Sequence, residues 1–308
     1  MEIIRNPQEY LYEELVKKTV KLEDTIQELT RVNNQKEIIQ NNYKKKTHED
    51  KIKTEILANL SHEFKTPVNV IYAAIQTEQL NKDKLNIELV TKYNSIIKQN
   101  CNRLIRIINN FIDVNEFEDG NRILDLKCYN IVYITESLVD SVVPYAESKN
   151  LNIVFDTSDE VLYCNLDLDL FQRAILNLLS NAIKYTNIKS QITVTIEKIN
   201  NHIKISIEDK GIGISEEYLN TIFNRFERVD KTFSRDTEGV GLGLNIAKEI
   251  IELHKGTINI SSEEKMGTKV IVILPGEFSE ENKKYENINI TDSAKQKAAI
   301  EMSDIYFE

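Results

Sequence analysis

Ser61-His62-Glu63-Phe64-Lys65-Thr66-Pro67 lies inside a long helical pattern and holds one of the four histidines of the chain. Counted from Ile52 at about 100° per residue, Ile52, Ile56, Leu60, Phe64, Ile71 and Ile75 fall on one stripe. His62 lies about 180° from the centre of that stripe, on a face shared with Lys65, Thr66 and Asn69. A helix patterned in this way holds its histidine out into water. Alone, such a residue reads as solvated surface; the rest of the chain decides otherwise.

Upstream, residues 8–60 read as continuous helix. Leu15, Leu22 and Leu29 recur every seven residues, with Ile26 between the last two. This is a short heptad pattern. It weakens at Asn33-Asn34 and Asn41-Asn42 and ends in Lys44-Lys45-Lys46. Residues 1–50 are therefore expected to form a coiled-coil linker, with a single self-docking amphipathic helix as the alternative. Pro67 removes one backbone bond just beyond His62 and predicts a kink there. The pattern lapses at Asn81-Lys82-Asp83. A second helix is expected over Ile87–Glu118, with Ile97, Cys101, Leu104, Ile108 and Phe111 spaced by four and three as a bundle-packing face. Two helices cannot bury such stripes alone. Residues 51–119 are thus expected to be a helical hairpin that dimerises into an all-α four-helix bundle.

Glu118-Asp119-Gly120-Asn121 marks the domain boundary. Beyond it, strands are expected at 122–129, 151–155, 161–165, 192–199, 203–208, 257–261 and 268–274. Helices are expected at 131–149, 167–184 and 244–254. This alternation predicts an α/β sandwich over residues 120–276, a mixed sheet covered by helices. Residues 277–308 read as a polar tail that docks, if anything, Ile305-Tyr306-Phe307.

The 308 residues carry 39 basic and 49 acidic side chains, a net charge of −10. That balance argues against a nucleic-acid or anionic-membrane binder. No apolar run approaches the roughly 20 residues of a membrane span, and the N-terminus lacks a signal-peptide order. A cytoplasmic protein, or the cytosolic portion of a membrane-bound sensor system, is expected. Cys101, Cys128 and Cys164 have no metal-binding or disulfide spacing and read as reduced packing residues.

Two glycine clusters carry the next signal. Asp209-Lys210-Gly211-Ile212-Gly213 follows an expected strand, and Gly239-Val240-Gly241-Leu242-Gly243 opens an expected helix. Glycines at such turns let backbone N–H groups approach an anion, and a helix N-terminus favours phosphate. In the otherwise apolar 167–184 helix, Asn177 and Asn181 lie one turn apart on one face. Their amide oxygens suit a Mg²⁺ ion that keeps several waters and few protein ligands.

Taken together, these stretches make the chain resemble the bacterial two-component sensor histidine kinases. The likeness covers roughly residues 50–275. Ser61–Pro67 matches the phosphoacceptor box and Asn177–Thr186 the N box. Asp209–Gly213, Gly239–Gly243 and Gly267-Thr268 match the glycine boxes, and Phe223-Asn224-Arg225-Phe226-Glu227-Arg228 matches the F box. Lys210 and Val240 are mild departures, standing where uncharged polar residues are frequent.

The resemblance implies roles. His62 accepts a phosphoryl group from ATP, with Glu63 taking or orienting the ring proton. Thr66 resembles the family's phosphatase position. Asp209 anchors the adenine amino group, and Tyr185 packs on the ring. Asn177 and Asn181 hold Mg²⁺, Lys184 reaches the phosphates, and Arg228 meets the γ-phosphate. Phe223, Phe226, Gly211, Gly213, Gly239, Gly241, Leu242, Gly243 and Thr268 line the nucleotide site, with residues 229–238 as its lid. The implied cofactors are ATP and Mg²⁺. The implied partners are a second copy of the chain and the receiver domain of a response regulator. A regulator phosphatase or phosphotransfer scaffold with feeble kinase activity is the second reading. The third is an ATP-driven conformational clamp, which would have no use for an exposed histidine ahead of its ATPase.

Overall fold

The computed structural model describes residues 7–80, 86–118, 122–225, 241–277 and 289–305. The chain divides into two compact units, residues 1–58 and 59–308. In the first, residues 7–58 are helical throughout, and Leu15, Leu22 and Leu29 of the heptad pattern are exposed. They belong to α1 (Pro7–Leu80), which continues through Pro67.

In the second unit, the end of α1 and α2 (Ile87–Glu118) form the helical hairpin. Leu60, Pro67 and Ala74 are buried along α1, at helical spacing. The expected apolar stripe of α2 is open: Cys101, Ile108 and Phe111 are exposed, and Ile97 and Leu104 only half-buried. The buried face of α2 is largely polar instead, with Asn100, Arg103, Arg106, Asn110 and Asp113 beside Ile107 and Val114.

The remaining elements build the sandwich. They are β1 (Lys127–Asn130), α3 (Ile131–Ser148), β2 (Asn152–Thr157), β3 (Tyr163–Leu166), α4 (Leu168–Tyr185), β4 (Gln191–Ile199) and β5 (His202–Asp209). After them come the short α5 (Glu216–Leu219), α6 (Gly243–Leu253), β6 (Thr257–Glu263) and β7 (Gly267–Pro275). The five-stranded sheet runs β2-β4-β5-β7-β6, parallel between β2 and β4 and antiparallel elsewhere. β1 and β3 form a separate antiparallel pair. Asn200, at φ 53°, supplies the left-handed residue of the tight β4–β5 turn. Alternate residues of the central strands, Ile192, Val194 and Ile196 on β4 and Ile203, Ile205 and Ile207 on β5, face one core with Phe171, Ile175, Leu179, Ile246 and Ile250 of the helices. The mixed sheet covered by helices is as the alternation predicts.

Two expectations are corrected. Of the strand expected at 122–129, only Lys127–Asn130 forms, because only those residues find a partner, in β3. The C-terminal stretch expected as a polar tail contains α7 (Thr291–Glu301), which packs on α2, α3 and α4. Ala294, Ala298 and Met302 recur every four residues, and with Ile305 they are buried. Small alanines made this face look polar in the sequence, yet they allow close helix approach.

Candidate nucleotide and phosphoacceptor site

α4 places the N-box residues. Asp167 caps its N-terminus, accepting from Leu170 N at 3.2 Å. His254, just past α6, braces that cap: its Nε2 accepts from Asp167 N at 2.9 Å while its Nδ1 bonds Ile250 O at 2.7 Å. With Nδ1–H donating and Nε2 accepting, the ring is neutral, and burial pulls its pKa below the ordinary histidine value. At about 100° per residue, Asn177, Asn181 and Lys184 lie within about 60° of each other on one face of α4.

Asn177 is buried and donates through Nδ2 to Arg173 O at 3.0 Å. Its Oδ1 is buried without a protein partner. A Cβ on Gly243 would stand only 2.8 Å from that oxygen. Gly243 therefore lets the first turn of α6 close on the asparagine. An orphaned amide oxygen buried beside a helix start fits a hard cation or its water. Asn181, one turn on, is half-buried.

Asp209 ends β5 and is buried; its Oδ1 accepts from Gly211 N at 2.8 Å. Burial raises its pKa, opposed by the bonds from the Gly211 and Thr268 backbone. Thr268 sits opposite it on β7, and its hydroxyl meets Ser262 Oγ at 2.9 Å. Gly211 is forced by space: a Cβ there would stand 2.1 Å from Tyr185 O. This approach ties the first glycine box to the end of the N box, where Ile212 N donates to Tyr185 O at 3.1 Å. The Tyr185 side chain is 37% exposed. Gly213, at φ 68°, packs on Glu263, and Leu242 is buried before α6. Gly241 is half-exposed. Phe223 packs on the core, with Lys248 Nζ 5.4 Å from its ring centre and its carbonyl accepting from Asn245 Nδ2. Arg228, Phe226, Gly239, Val240 and the expected lid 229–238 lie outside the described residues.

On α1, His62 is exposed and Thr66 donates to His62 O at 3.4 Å. Glu63 is held by Arg103 of α2, whose Nη2 stands 3.2 Å from Glu63 Oε2.

Sequence reasoning missed a cluster of buried charge beside these residues. Lys184 Nζ lies 2.6 Å from Asp304 Oδ2, just beyond α7. Asp304 also pairs with Arg106 Nη1 and, at 3.6 Å, with Arg103 Nε. Glu301 accepts from Arg106 Nε at 2.9 Å, and its backbone carbonyl accepts from Ser180 Oγ at 3.2 Å. Burial opposes ionisation of Asp304, but Lys184, Arg106 and Arg103 overcome it and hold the carboxyl well below its usual range. Arg103 and Arg106, charged residues on a long helix, were legible as unusual only if that face is buried.

Two family descriptions match this chain. "His Kinase A (phospho-acceptor) domain" matches residues 52–120. "Histidine kinase-, DNA gyrase B-, and HSP90-like ATPase" matches residues 166–277. The chain belongs to the two-component sensor histidine kinases. Over 226 residues it is 35% identical to Histidine kinase P4 of Formosa agariphila, covering 72% of this chain and 16% of that protein. Over 236 residues it is 28% identical to the sensor histidine kinase WalK of Bacillus subtilis, covering 76% of this chain and 38% of that protein. This kinase chain thus spans well under half the length of those relatives. Among solved structures, ShkA in complex with AMPPNP matches with a TM-score of 0.54 at 24% identity, over 73% of this chain and 46% of that one. Histidine kinase ThkA in complex with the response regulator protein TrrA matches with a TM-score of 0.53 at 24% identity, over 72% of this chain and 61% of that one. These two show the shared fold. Among the described residues no helix is long and apolar enough to cross a membrane.

Proposed function

We propose that this kinase transfers the γ-phosphoryl group of ATP to His62 and then to an aspartate on the receiver domain of a response regulator. The exposed His62, one residue from a carboxylate held by a second helix, carries this reading. A ring nitrogen of His62 attacks the γ-phosphorus, the bond to the bridging oxygen breaks, and ADP departs. The proton on the other ring nitrogen passes to Glu63, which Arg103 positions. Asp209 accepts from the adenine amino group and Tyr185 covers the ring. Asn177 and Asn181 would hold Mg²⁺, whose chemistry is to neutralise phosphate charge. Lys184 and Arg228 add positive charge on the phosphate side. Residues 120–276 are then the catalytic domain and 51–119 the phosphotransfer hairpin. Two chains pair through the open apolar stripe of α2 into a four-helix bundle.

Incubation with γ-labelled ATP and Mg²⁺ is expected to give acid-labile, base-stable label. Label persisting at equal yield in His62→Gln would overturn the site. A phosphatase activity toward the regulator is favoured by Thr66, one turn from His62, where its hydroxyl can orient a water. Thr66→Ala is expected to slow loss of label from a phosphorylated regulator while leaving label on His62; unchanged loss excludes that role.

A further inference from the structure

The charge cluster around Asp304 has a chemical consequence for the nucleotide site. Lys184 shares the α4 face of Asn177 and Asn181. Its ammonium is buried and committed to Asp304 at 2.6 Å. The same carboxylate takes Arg106 and Arg103 of the hairpin, and Arg103 in turn holds Glu63 at 3.2 Å. One carboxylate thus joins the residue beside the phosphoacceptor to the lysine of the N box. Its surroundings are those of a bound anion: three cations converge on one oxyanion group, as they would on a phosphate.

The rest of α7 is built to hold that carboxylate in place. Ala294, Ala298, Met302 and Ile305 bury its apolar side. Gln99 of α2 donates to the carbonyls of Ser303, at 3.1 Å, and Ile305, at 2.9 Å. Asn102 donates to Ala299 O at 3.3 Å. On the α4 side, Ser180 and Arg173 meet Glu301, and Lys297 pairs with Asp169. The helix contacts α2, α3 and α4 together, so it bridges the phosphotransfer hairpin and the sandwich.

We propose that α7 is an autoinhibitory latch whose Asp304 occupies Lys184 in place of a nucleotide phosphate and locks Glu63, through Arg103, to the sandwich. The proposal rests on the kinase reading above. Nucleotide takes Lys184 only as Asp304 leaves it. Release of Asp304 also removes its ion pairs to Arg103 and Arg106, leaving the hairpin held to α4 by Arg173, which meets Asp113 at 2.6 Å. Nucleotide binding at Lys184 is therefore coupled to the hold of the C-terminal segment on the hairpin. By reciprocity, whatever pulls α7 away raises nucleotide affinity by the same factor.

The test compares ATP binding by the full chain and by Asp304→Asn, which keeps the size of the side chain and removes its charge. Calorimetry in Mg²⁺ buffer is expected to show about tenfold tighter binding by the variant, within the usual range of such couplings. Equal or weaker binding by the variant overturns the latch and makes α7 a plain support of the site. A second measurement needs no variant: hydrogen exchange across residues 291–301 of the wild-type chain. Faster exchange on adding Mg²⁺-ATP is expected; unchanged or slower exchange overturns the latch. If both proteins bind ATP equally and label His62, the kinase reading stands and the latch alone falls. If neither binds ATP, the kinase reading falls and the latch with it.

Discussion

In the sandwich, Phe171, Ile175, Ile192 and Ile205 are wholly buried, whereas in the hairpin Ile105, Ile108, Phe111 and Ile112 stand between 39% and 46% exposed. The sandwich satisfies its apolar faces within one chain, through alternate strand positions and three helices. The hairpin buries charge instead, on the α2 face turned to α7 and α4, and leaves its apolar stripe uncovered. The contrast teaches that apolar pattern alone does not settle burial: the α2 stripe is patterned for packing and stays open within one chain. The proposed pairing of two chains would cover that open stripe, and a buried ionic face fixes how two regions of one chain sit together.

The contrast can be broken first at Phe171. Phe171→Ala is expected to cost about 3–5 kcal/mol of stability, because the closed core cannot collapse around the cavity; urea unfolding measures it. Arg106→Ala is expected to cost about 3 kcal/mol, because it leaves Glu301 with only Arg173 at 3.8 Å and takes one of three cations from the buried Asp304, read as a lower urea midpoint. A cost below half of that would mean the polar α2 face is wetter than its burial indicates. On the open face, Ile108→Lys is expected to alter monomer stability by less than about 0.5 kcal/mol but to shift the protein to monomer in sedimentation. Retention of the dimer at equal concentration would place the interface elsewhere.

Smaller effects come from single titrating groups. His254 has a pKa lowered by burial, so its folded form resists the proton that the unfolded chain accepts near pH 6.5. Its contribution is present above that value and is lost as pH falls below it. Melting curves of the wild type are expected to drop between pH 6.5 and 5 more steeply than those of His254→Gln. Asp209 has the opposite sense: burial raises its pKa above the ordinary carboxylate value, so ionisation at neutral pH costs stability. Asp209→Asn is therefore expected to melt no lower than wild type at pH 7.5. That margin should shrink as pH falls through the raised folded pKa and close below the ordinary value of 3.8, where the wild-type group is protonated in both states. The same variant is expected to lose ATP binding; a variant that binds ATP normally would displace the adenine anchor.

Most of the sandwich was legible because its signals are local. Period-two runs such as Ile192–Ile196 specify a strand face, the Asn200-Asn201 pair specifies a turn, and Asp167 caps a helix whose apolar side is continuous. The glycines of the boxes are explained by close approaches that a sequence reader can anticipate in kind but not in partner. Gly211 needs its freedom because of Tyr185 O, which is distant in sequence. The segment 291–305 was misread for a related reason. Alanine at every fourth place is a weak apolar signal, and it becomes a packing face only against α2, α3 and α4.

By itself the sequence determined most elements of the sandwich and hairpin, the exposed histidine face at His62, and the family through its boxes, since each depends on residue type and short spacing. Only the tertiary structure decided where the charges of α2 go. Arg103, Arg106 and Lys184 come from two helices far apart in the chain, and Asp304 from the turn just beyond a third. Ion pairing depends on distance in space. No periodicity encodes that a carboxylate near the C-terminus meets the lysine of the N box.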